Sequence, residues 1–228
     1  GVALAARYVG IGATIVLPEF APLTKVNATR GFGANVILKG SAFDEAVAYS
    51  KELQKENGLT YVHAYDDEHI IAGQGTIGIE ILESLPAVTT IVVPIGGGGV
   101  MSGIAIAAKA LKPDVRIIGV QSANVSWVKP SLAEGRPVVP KTKPTIADGI
   151  AVKTPGELTL PIIRQYVDDI VEVDDEQIAE AIFHSVQNNR LVVEGAGAAG
   201  LAAILANKVA IAPDDCLCVV LCGGNIDA

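Results

Sequence analysis

Short runs of β-branched and apolar residues alternate along the chain with longer segments in which apolar residues recur at helical spacing. The short runs predict strands at Ala13–Leu17, Asn35–Lys39, Thr60–Ala64, Thr90–Ile95, Arg116–Gln121, Asp169–Val173 and Cys216–Leu221. The longer segments predict helices at the opening GVALAARYVG, Leu23–Gly31, Ser41–Asn57, Ile70–Ser84, Val100–Leu111, from Asp174 onward, and Gly195–Asn207. Because strands and helices alternate, the pattern predicts an α/β fold with a parallel sheet covered by helices on both faces.

Two of the predicted helices begin with capping signals. Ser41 and Asp44 form an S-x-x-D pattern, and Asp174 begins a D-x-x-Q pattern. After Asp174, apolar residues recur at every fourth position, and we expect them to share one helix face: Ile178, Ile182 and Val186.

Two further segments bear on the domain organisation. The acidic segment YDDEH follows the first two strand–helix pairs, and it predicts a small α/β domain over residues 1–65 and a large one over residues 66–228. The stretch from Ser122 to Pro161 is rich in Pro, Lys, Ser and Thr and lacks clear periodicity. A long irregular stretch in a compact domain is typical of a functional segment, so we expect it to cover a site.

Composition excludes several classes of protein. Of the 228 residues, 50% are apolar and 18% are charged, against about 25% charged in an average domain, so the chain is not intrinsically disordered. A net charge of −8 without basic tracts argues against a nucleic-acid partner. The apolar segment Gly195–Ala206 is shorter than the about 20 residues that span a bilayer, and no secretory signal occurs, so no membrane partner is expected.

The segment PIGGGGVMSG, Pro94 to Gly103, lies between a predicted buried strand and a predicted helix. Its four successive glycines, Gly96, Gly97, Gly98 and Gly99, leave backbone N–H groups unobstructed at a helix N-terminus, which favours a phosphate site. The alternative is a tight strand–helix crossing that needs glycine only for packing. Such a crossing would account for one or two glycines, but less well for four.

Two common phosphate motifs do not match this loop. The dinucleotide pattern fails because its last position, counted from Gly97, is Ser102, and because the next strand ends in Gln121 and not in an acid. The NTP-binding pattern fails because Gly103 is followed by Ile104 and not by Lys. The predicted ligand therefore carries a phosphate but is neither a typical dinucleotide nor a typical NTP.

All three cysteines, Cys216, Cys218 and Cys222, lie in the segment CLCVVLCGGNID. An odd, clustered set is not a disulfide framework, so we expect a reducing, cytoplasmic location. Cys216 and Cys218 are expected to be core residues. For Cys222, at the carboxyl end of a strand, three roles stay open: a zinc ligand, disfavoured because no fourth ligand is suitably spaced; a catalytic nucleophile; or a hydrogen-bonding group near a bound ring.

Taken in order, six motifs resemble one known family: DDEHIIAGQGT (Asp66 to Thr76), GGGGVMSG, TIADG (Thr145 to Gly149), VDDI (Val167 to Ile170), EGAGA (Glu194 to Ala198) and CGGNID (Cys222 to Asp227). The chain resembles the threonine ammonia-lyase and serine racemase group of pyridoxal-phosphate enzymes, of the tryptophan-synthase-β fold type. The resemblance covers essentially the whole chain. It implies two open, mostly parallel sheets, with a cofactor cleft between a small and a large domain.

The resemblance implies roles for the candidate site residues. Gly96 to Gly99, with the Val100 amide as a fifth donor, would hold the phosphate of pyridoxal 5'-phosphate. Gly149 would lie by the cofactor ring, and Cys222 would hydrogen-bond the pyridine nitrogen. Glu194 is either an acid behind the ring or a cap for the next helix, and Asp148 either orders its loop or touches ligand.

The family's lysine that forms the Schiff base lies in an S-F-K-x-R-G-A segment, which this sequence does not contain. We therefore assign no catalytic residue here and expect that lysine upstream of Gly1. Racemase-like members also bind a divalent cation through acids at positions that here are Gln121 and Trp127, so no metal site is predicted.

The resemblance favours a threonine ammonia-lyase, which would deaminate L-threonine, and also L-serine, as a cytoplasmic homo-oligomer in amino-acid metabolism, including isoleucine biosynthesis. Its partner would be a small amino-acid substrate. The alternatives are serine racemase or another lyase or synthase of the same fold, and a non-catalytic fragment or ligand-binding relative.

Overall fold

The computed structural model describes residues 1–41 and 43–225, except for the side chain of Asp44. The Asp44 capping signal and the last two residues of the CGGNID motif therefore lie outside the described part. The chain divides into two compact units, which comprise Gly1–Val62 and residues 63–225.

The first unit contains a two-stranded parallel sheet with three helices. Strands β1 (Thr14–Leu17) and β2 (Asn35–Leu38) pair with Thr14 opposite Asn35. The helices are α1 (Val2–Val9), α2 (Leu23–Gly31) and α3 (Phe43–Asn57). As far as Asn57, these elements confirm the predicted alternation of helices and strands.

The predicted strand Thr60–Ala64 is wrong, because no strand is assigned to these residues. The imidazole Nδ1 of His63 accepts the backbone N–H groups of Tyr65 and Asp66, at 3.1 and 2.8 Å. These local hydrogen bonds hold the chain in a bend directly after His63, which competes with extended strand structure at the end of the predicted segment.

The second unit is built on a four-stranded parallel sheet of order β5-β4-β3-β6. Its strands are β3 (Thr90–Pro94), β4 (Arg116–Ser122), β5 (Asp169–Val173) and β6 (Leu217–Val219). Its helices are α4 (Glu68–Ser84), α5 (Gly99–Leu111), α6 (Val128–Glu134), α7 (Thr159–Tyr166), α8 (Asp175–His184) and α9 (Gly195–Leu205). No described helix is long and apolar enough to cross a membrane.

Both faces of this sheet are buried. Along β3, Val92 belongs to a core cluster with α8 and α9, whereas Ile91 and Val93 belong to a second cluster with α5 and α7. Alternate residues of a strand point to opposite faces, so a strand covered on both sides reads as a continuous apolar run.

The start of α8 is as predicted, but its end is not. Asp174 and Gln177 form a complete capping box, with hydrogen bonds of 2.9 and 3.2 Å. After His184 the chain winds into a π-helical turn, Ser185–Asn189. A π turn has wider spacing than an α-helix, so Val186 leaves the buried face of Ile178 and its side chain is 45% exposed.

The stretch from Ser122 to Pro161 is more regular than predicted, since it contains α6 and the start of α7. Both helices are short, with seven and eight residues, which hides their periodicity. The start of α7 also depends on Asp66, far away in sequence, whose carboxylate accepts the N–H groups of residues 157–159.

Candidate functional site

The four glycines connect β3 to α5 at the carboxyl edge of the sheet, where parallel α/β folds bind ligands. Gly97, Gly98 and Gly99 are buried, and Gly98 has a φ of 93°, in the left-handed region that favours glycine. A Cβ atom on Gly97 would lie 2.3 Å from the Tyr65 ring, and one on Gly99 would lie 2.9 Å from the Tyr65 carbonyl oxygen. The loop therefore requires glycine for both conformation and space.

The carbonyl groups of Gly96, Gly97 and Gly98 each accept a hydrogen bond. The indole Nε1–H of Trp127 donates to the carbonyl oxygen of Gly96 at 2.8 Å. The Thr159 hydroxyl donates to that of Gly97 at 2.9 Å, and the Ser102 N–H donates to that of Gly98 at 2.8 Å.

The N–H groups of Gly97, Gly98 and Gly99, in contrast, have no hydrogen-bond acceptor in the part of the chain that the structure describes. They lie at the N-terminus of the 13-residue helix α5, where the helix dipole adds partial positive charge. Buried backbone donors are rarely left without partners. Such a cradle fits an anionic phosphate group, as the sequence predicts.

Gly149 lies beside this loop, in the 3₁₀ turn Asp148–Ile150. A Cβ atom on Gly96 would lie 3.4 Å from the Gly149 carbonyl oxygen. A Cβ atom on Gly149 would lie 3.0 Å from the Glu194 carboxylate and 2.8 Å from the Cβ of Ala196. Gly149 thus bridges the glycine loop and Glu194, with no room for a side chain on that side.

Glu194 occupies the N-cap position of α9, but its side chain makes no capping hydrogen bond. Its carboxylate instead accepts the backbone N–H of Asn225 at 3.2 Å, and its own N–H donates to the Gly223 carbonyl at 3.1 Å. Of the two roles predicted for Glu194, this geometry favours the acid behind the site over the helix cap.

Cys222 lies next to Glu194, in the segment after β6. Its carbonyl oxygen would be 2.7 Å from a Cβ atom on Gly197. Burial raises the pKa of the Cys222 thiol above its usual value. A hydrogen bond between the thiol and its own backbone lowers this pKa, whereas the charge of Glu194 raises it, and the net shift is upward. The thiol therefore stays protonated at neutral pH, which disfavours the nucleophile and favours a neutral hydrogen-bonding group.

The other two cysteines differ from one another. Cys218 packs against the core cluster that contains Ile91, and burial raises the pKa of its thiol. Cys216 is half-buried, and its carbonyl oxygen accepts the Thr89 N–H at 2.8 Å. Core packing is therefore clear for Cys218 only.

Gln121 and Trp127 form a neutral hydrogen-bonded arrangement at the end of β4. The amide oxygen of Gln121 accepts the backbone N–H groups of Trp127 and Val128, at 3.1 and 2.9 Å. Among the described residues there is also no group of three or more His, Cys, Asp or Glu side chains that could hold a metal ion.

Sequence reasoning missed the part that Tyr65, Trp127 and Thr159 take in shaping the loop. For Trp127 the sequence suggests only the position of a cation ligand in related racemases, and not the hydrogen bond to Gly96. Tyr65 belongs to the YDDEH segment, which signals a domain boundary and gives no local sign of a contact with Gly97. Thr159 lies 62 residues from Gly97, and no motif connects the two positions. Only the tertiary structure brings them together.

Comparison with known proteins gives the family. A sequence profile described as "Pyridoxal-phosphate dependent enzyme" matches residues 1–223. The chain belongs to this pyridoxal-phosphate-dependent enzyme family. The phosphate predicted for the glycine loop is consistent with the cofactor of the family, pyridoxal 5'-phosphate.

Two curated members of the family are similar over most of the chain. An L-threonine ammonia-lyase of Thermotoga maritima is 50% identical over 227 residues, which are 100% of this chain and 56% of the relative. A catabolic L-threonine dehydratase of Staphylococcus aureus is 49% identical over 209 residues, 92% of this chain and 60% of the relative. The chain thus spans somewhat more than half the length of these relatives.

Solved structures of the family have the same fold. Maize serine racemase matches with a TM-score of 0.93 and 37% identity, over 99% of this chain and 70% of that one. A threonine deaminase from Solanum lycopersicum matches with a TM-score of 0.91 and 34% identity, over 99% of this chain and 62% of that one. These matches confirm the α/β fold with parallel sheets flanked by helices.

Proposed function

We propose that the protein containing this chain is an ammonia-lyase that uses pyridoxal 5'-phosphate to convert L-threonine into 2-oxobutanoate and ammonia. L-Serine, which would give pyruvate, is proposed as a second substrate. The observation that carries the proposal is the buried glycine loop, whose N–H groups have no acceptor among the residues that the structure describes, and which lies beside Gly149 and Glu194. The names of the two curated relatives support threonine as the substrate.

In this proposal each residue has a binding role. The N–H groups of Gly96 to Gly99 and of Val100 hold the phosphate, and Gly149 lies by the ring. The Cys222 thiol hydrogen-bonds the ring nitrogen, and Glu194 orients the backbone of the Cys222 segment through Asn225. No residue of this sequence is assigned as the base that removes the Cα proton.

The neutral thiol also bears on the type of reaction. Bound pyridoxal phosphate withdraws electrons from the substrate Cα. A protonated thiol at the ring nitrogen does not enforce a full positive charge on the ring, which makes the ring a weaker electron acceptor. This suits loss of a β-hydroxyl group better than transamination.

The full-length protein provides the test. With pyridoxal phosphate it should show a visible absorbance band and release a 2-oxo acid from L-threonine. A protein without that band, or one that produces no 2-oxo acid from threonine or serine, would contradict the proposal. Comparing threonine, serine and O-acetylserine as substrates distinguishes it from a synthase of the same fold.

Serine racemisation is a second candidate, favoured by the close structural match to maize serine racemase. Gln121 and Trp127 count against a racemase that depends on a cation at this place, because a neutral amide and an indole are poor ligands for hard cations. Chiral analysis of L-serine incubations with the enzyme decides: accumulation of D-serine faster than pyruvate would favour the racemase.

We further propose that the protein acts in the cytoplasm as a homo-oligomer. The cluster of three cysteines supports a reducing compartment, and light scattering of the purified protein tests the oligomer. A role in isoleucine biosynthesis stays a prediction, since the name of the Staphylococcus aureus relative includes "catabolic".

A further inference from the structure

Two buried side chains hold the glycine loop through its carbonyl groups. Trp127 and Thr159 are both fully buried, and they donate to the carbonyl oxygens of Gly96 and Gly97, at 2.8 and 2.9 Å. Trp127 precedes α6 and Thr159 begins α7, so the two donors reach the loop from different elements.

Peptide geometry links these carbonyl groups to the N–H groups that would bind phosphate. In a planar trans peptide, the C=O of one residue and the N–H of the next point in opposite directions. The Trp127 hydrogen bond to Gly96 therefore fixes the direction of the Gly97 N–H. In the same way, the Thr159 hydrogen bond to Gly97 fixes the direction of the Gly98 N–H.

Both donors are themselves held by side chains outside the loop. The amide oxygen of Gln121 accepts the Trp127 N–H at 3.1 Å, and the carboxylate of Asp66 accepts the Thr159 N–H at 3.1 Å. The Trp127 ring and the Thr159 hydroxyl thus start from fixed backbone positions. Four successive glycines have more conformational freedom than any other tetrapeptide, and these contacts restrict that freedom before a ligand arrives.

We propose that Trp127 and Thr159 are positioning residues, which aim the N–H groups of Gly97 and Gly98 at the phosphate of the cofactor. This inference rests on the proposed function, because it takes the phosphate of pyridoxal phosphate as the ligand of the loop. It adds that phosphate affinity depends on two side chains that do not touch the phosphate.

The test uses the full-length protein and two independent substitutions, Trp127→Phe and Thr159→Val, each of which removes one donor and keeps most of the side-chain volume. Thr159→Ser retains the hydroxyl and should restore wild-type behaviour. Thr90→Val is the matched control, because Thr90 is also fully buried and its hydroxyl has no partner among the described residues.

Affinity is measured for pyridoxal phosphate and for pyridoxal, which lacks the phosphate. Each substitution should weaken pyridoxal phosphate binding by about tenfold, the effect of one lost buried hydrogen bond, and leave pyridoxal binding nearly unchanged. The ³¹P resonance of the bound cofactor should also shift in Trp127→Phe and Thr159→Val, but not in Thr90→Val or Thr159→Ser.

The outcomes separate this inference from the proposed function. If wild-type protein binds pyridoxal phosphate and both variants weaken the two ligands equally, the roles are purely structural and the inference is wrong. If wild-type protein binds pyridoxal phosphate no better than pyridoxal, the proposed function is wrong. Inorganic phosphate is the probe in that case. If both variants weaken phosphate binding, the positioning role of Trp127 and Thr159 holds for a phosphate group as such. If wild-type protein binds no phosphate, or the variants bind it equally well, the inference is wrong.

Discussion

At the scale of single residues, Tyr65 sets the space available to the glycine loop. Its ring lies where a side chain on Gly97 would lie, and its backbone lies where one on Gly99 would lie. The Tyr65 hydroxyl donates to the Thr154 carbonyl at 2.9 Å, and its N–H donates to His63. Since both ends of the residue are held, the ring has little freedom to make room.

Gly97→Ala should therefore disturb the loop more than the single added methyl group suggests. The new Cβ would meet three Tyr65 ring atoms within 2.3–2.5 Å, so we expect a loss of stability of about 1–3 kcal/mol and weaker cofactor binding. Urea unfolding and titration with pyridoxal phosphate measure the two effects.

Gly73→Ala is the matched control for this substitution. Gly73 lies in α4, and a Cβ atom there would have open space around it. Alanine has the higher helix propensity, so stability should stay equal or rise by up to about 1 kcal/mol. Equal behaviour of the two alanine variants would show that Tyr65 does not confine the loop.

At the scale of elements, the N-terminal end of α7 is held by one carboxylate that is distant in sequence. Asp66 accepts the N–H groups of Glu157, Leu158 and Thr159 at 2.9, 3.0 and 3.1 Å. These donors belong to the first residue of the helix, Thr159, and to the two residues before it, so the helix does not satisfy them internally. A negative charge is also favourable at that end of a helix.

Asp66→Ala should lower the free energy of unfolding by about 2 kcal/mol, because it leaves three backbone donors without their charged acceptor. It should also weaken cofactor binding, since Thr159 begins the released helix. Asp114→Ala, at an exposed aspartate, should change neither quantity. The same loss in both variants would contradict the anchoring role of Asp66.

Elements determined by their own residues could be predicted closely from the sequence. Leu23–Gly31 and Asp169–Val173 have the predicted bounds, and the Asp174 capping box fixes the start of α8 locally. The missed features depend on other parts of the fold: α7 begins where Asp66 accepts its first N–H groups, and the π turn after α8 departs from simple helical spacing.

At the scale of the whole molecule, the thiols of Cys218 in β6 and of Cys222 after it make stability depend on pH in the alkaline range. Burial is the main cause that raises the pKa of both Cys218 and Cys222. In the unfolded chain a thiol titrates near pH 8.5, so just above that pH the unfolded state binds fewer protons than the folded state. The contribution of the two buried thiols to the free energy of unfolding is therefore complete below the pKa of the unfolded chain. It is lost as the pH rises through the higher pKa values of the folded protein.

The free energy of unfolding should consequently fall between about pH 8 and pH 10, and the fall should be shallower in the double variant Cys218→Ala, Cys222→Ser. Urea titrations in the presence of a reductant measure both slopes. Other groups also titrate in this range, so the difference between the two proteins is the informative quantity. Parallel curves would mean that burial of the thiols does not change their titration.

The candidate site could be predicted from the sequence only where its residues are neighbours in the chain. The glycine loop, Gly149 and Cys222 each lie in a short motif. The hydrogen bonds that shape the loop join Gly96 to Trp127 and Gly97 to Thr159, across 31 and 62 residues. Such partners depend on how the elements pack, which local spacing does not reveal.

The pairing of β3 with β6 has a consequence for synthesis on the ribosome. Thr89, just before β3, donates to Cys216, just before β6, and the two residues are 127 positions apart. At about 5–20 residues per second, β3 waits roughly 6–25 s after its own translation before that partner exists. During this interval one edge of an apolar strand lacks its neighbour, so its backbone N–H and C=O groups are open to pairing with other chains.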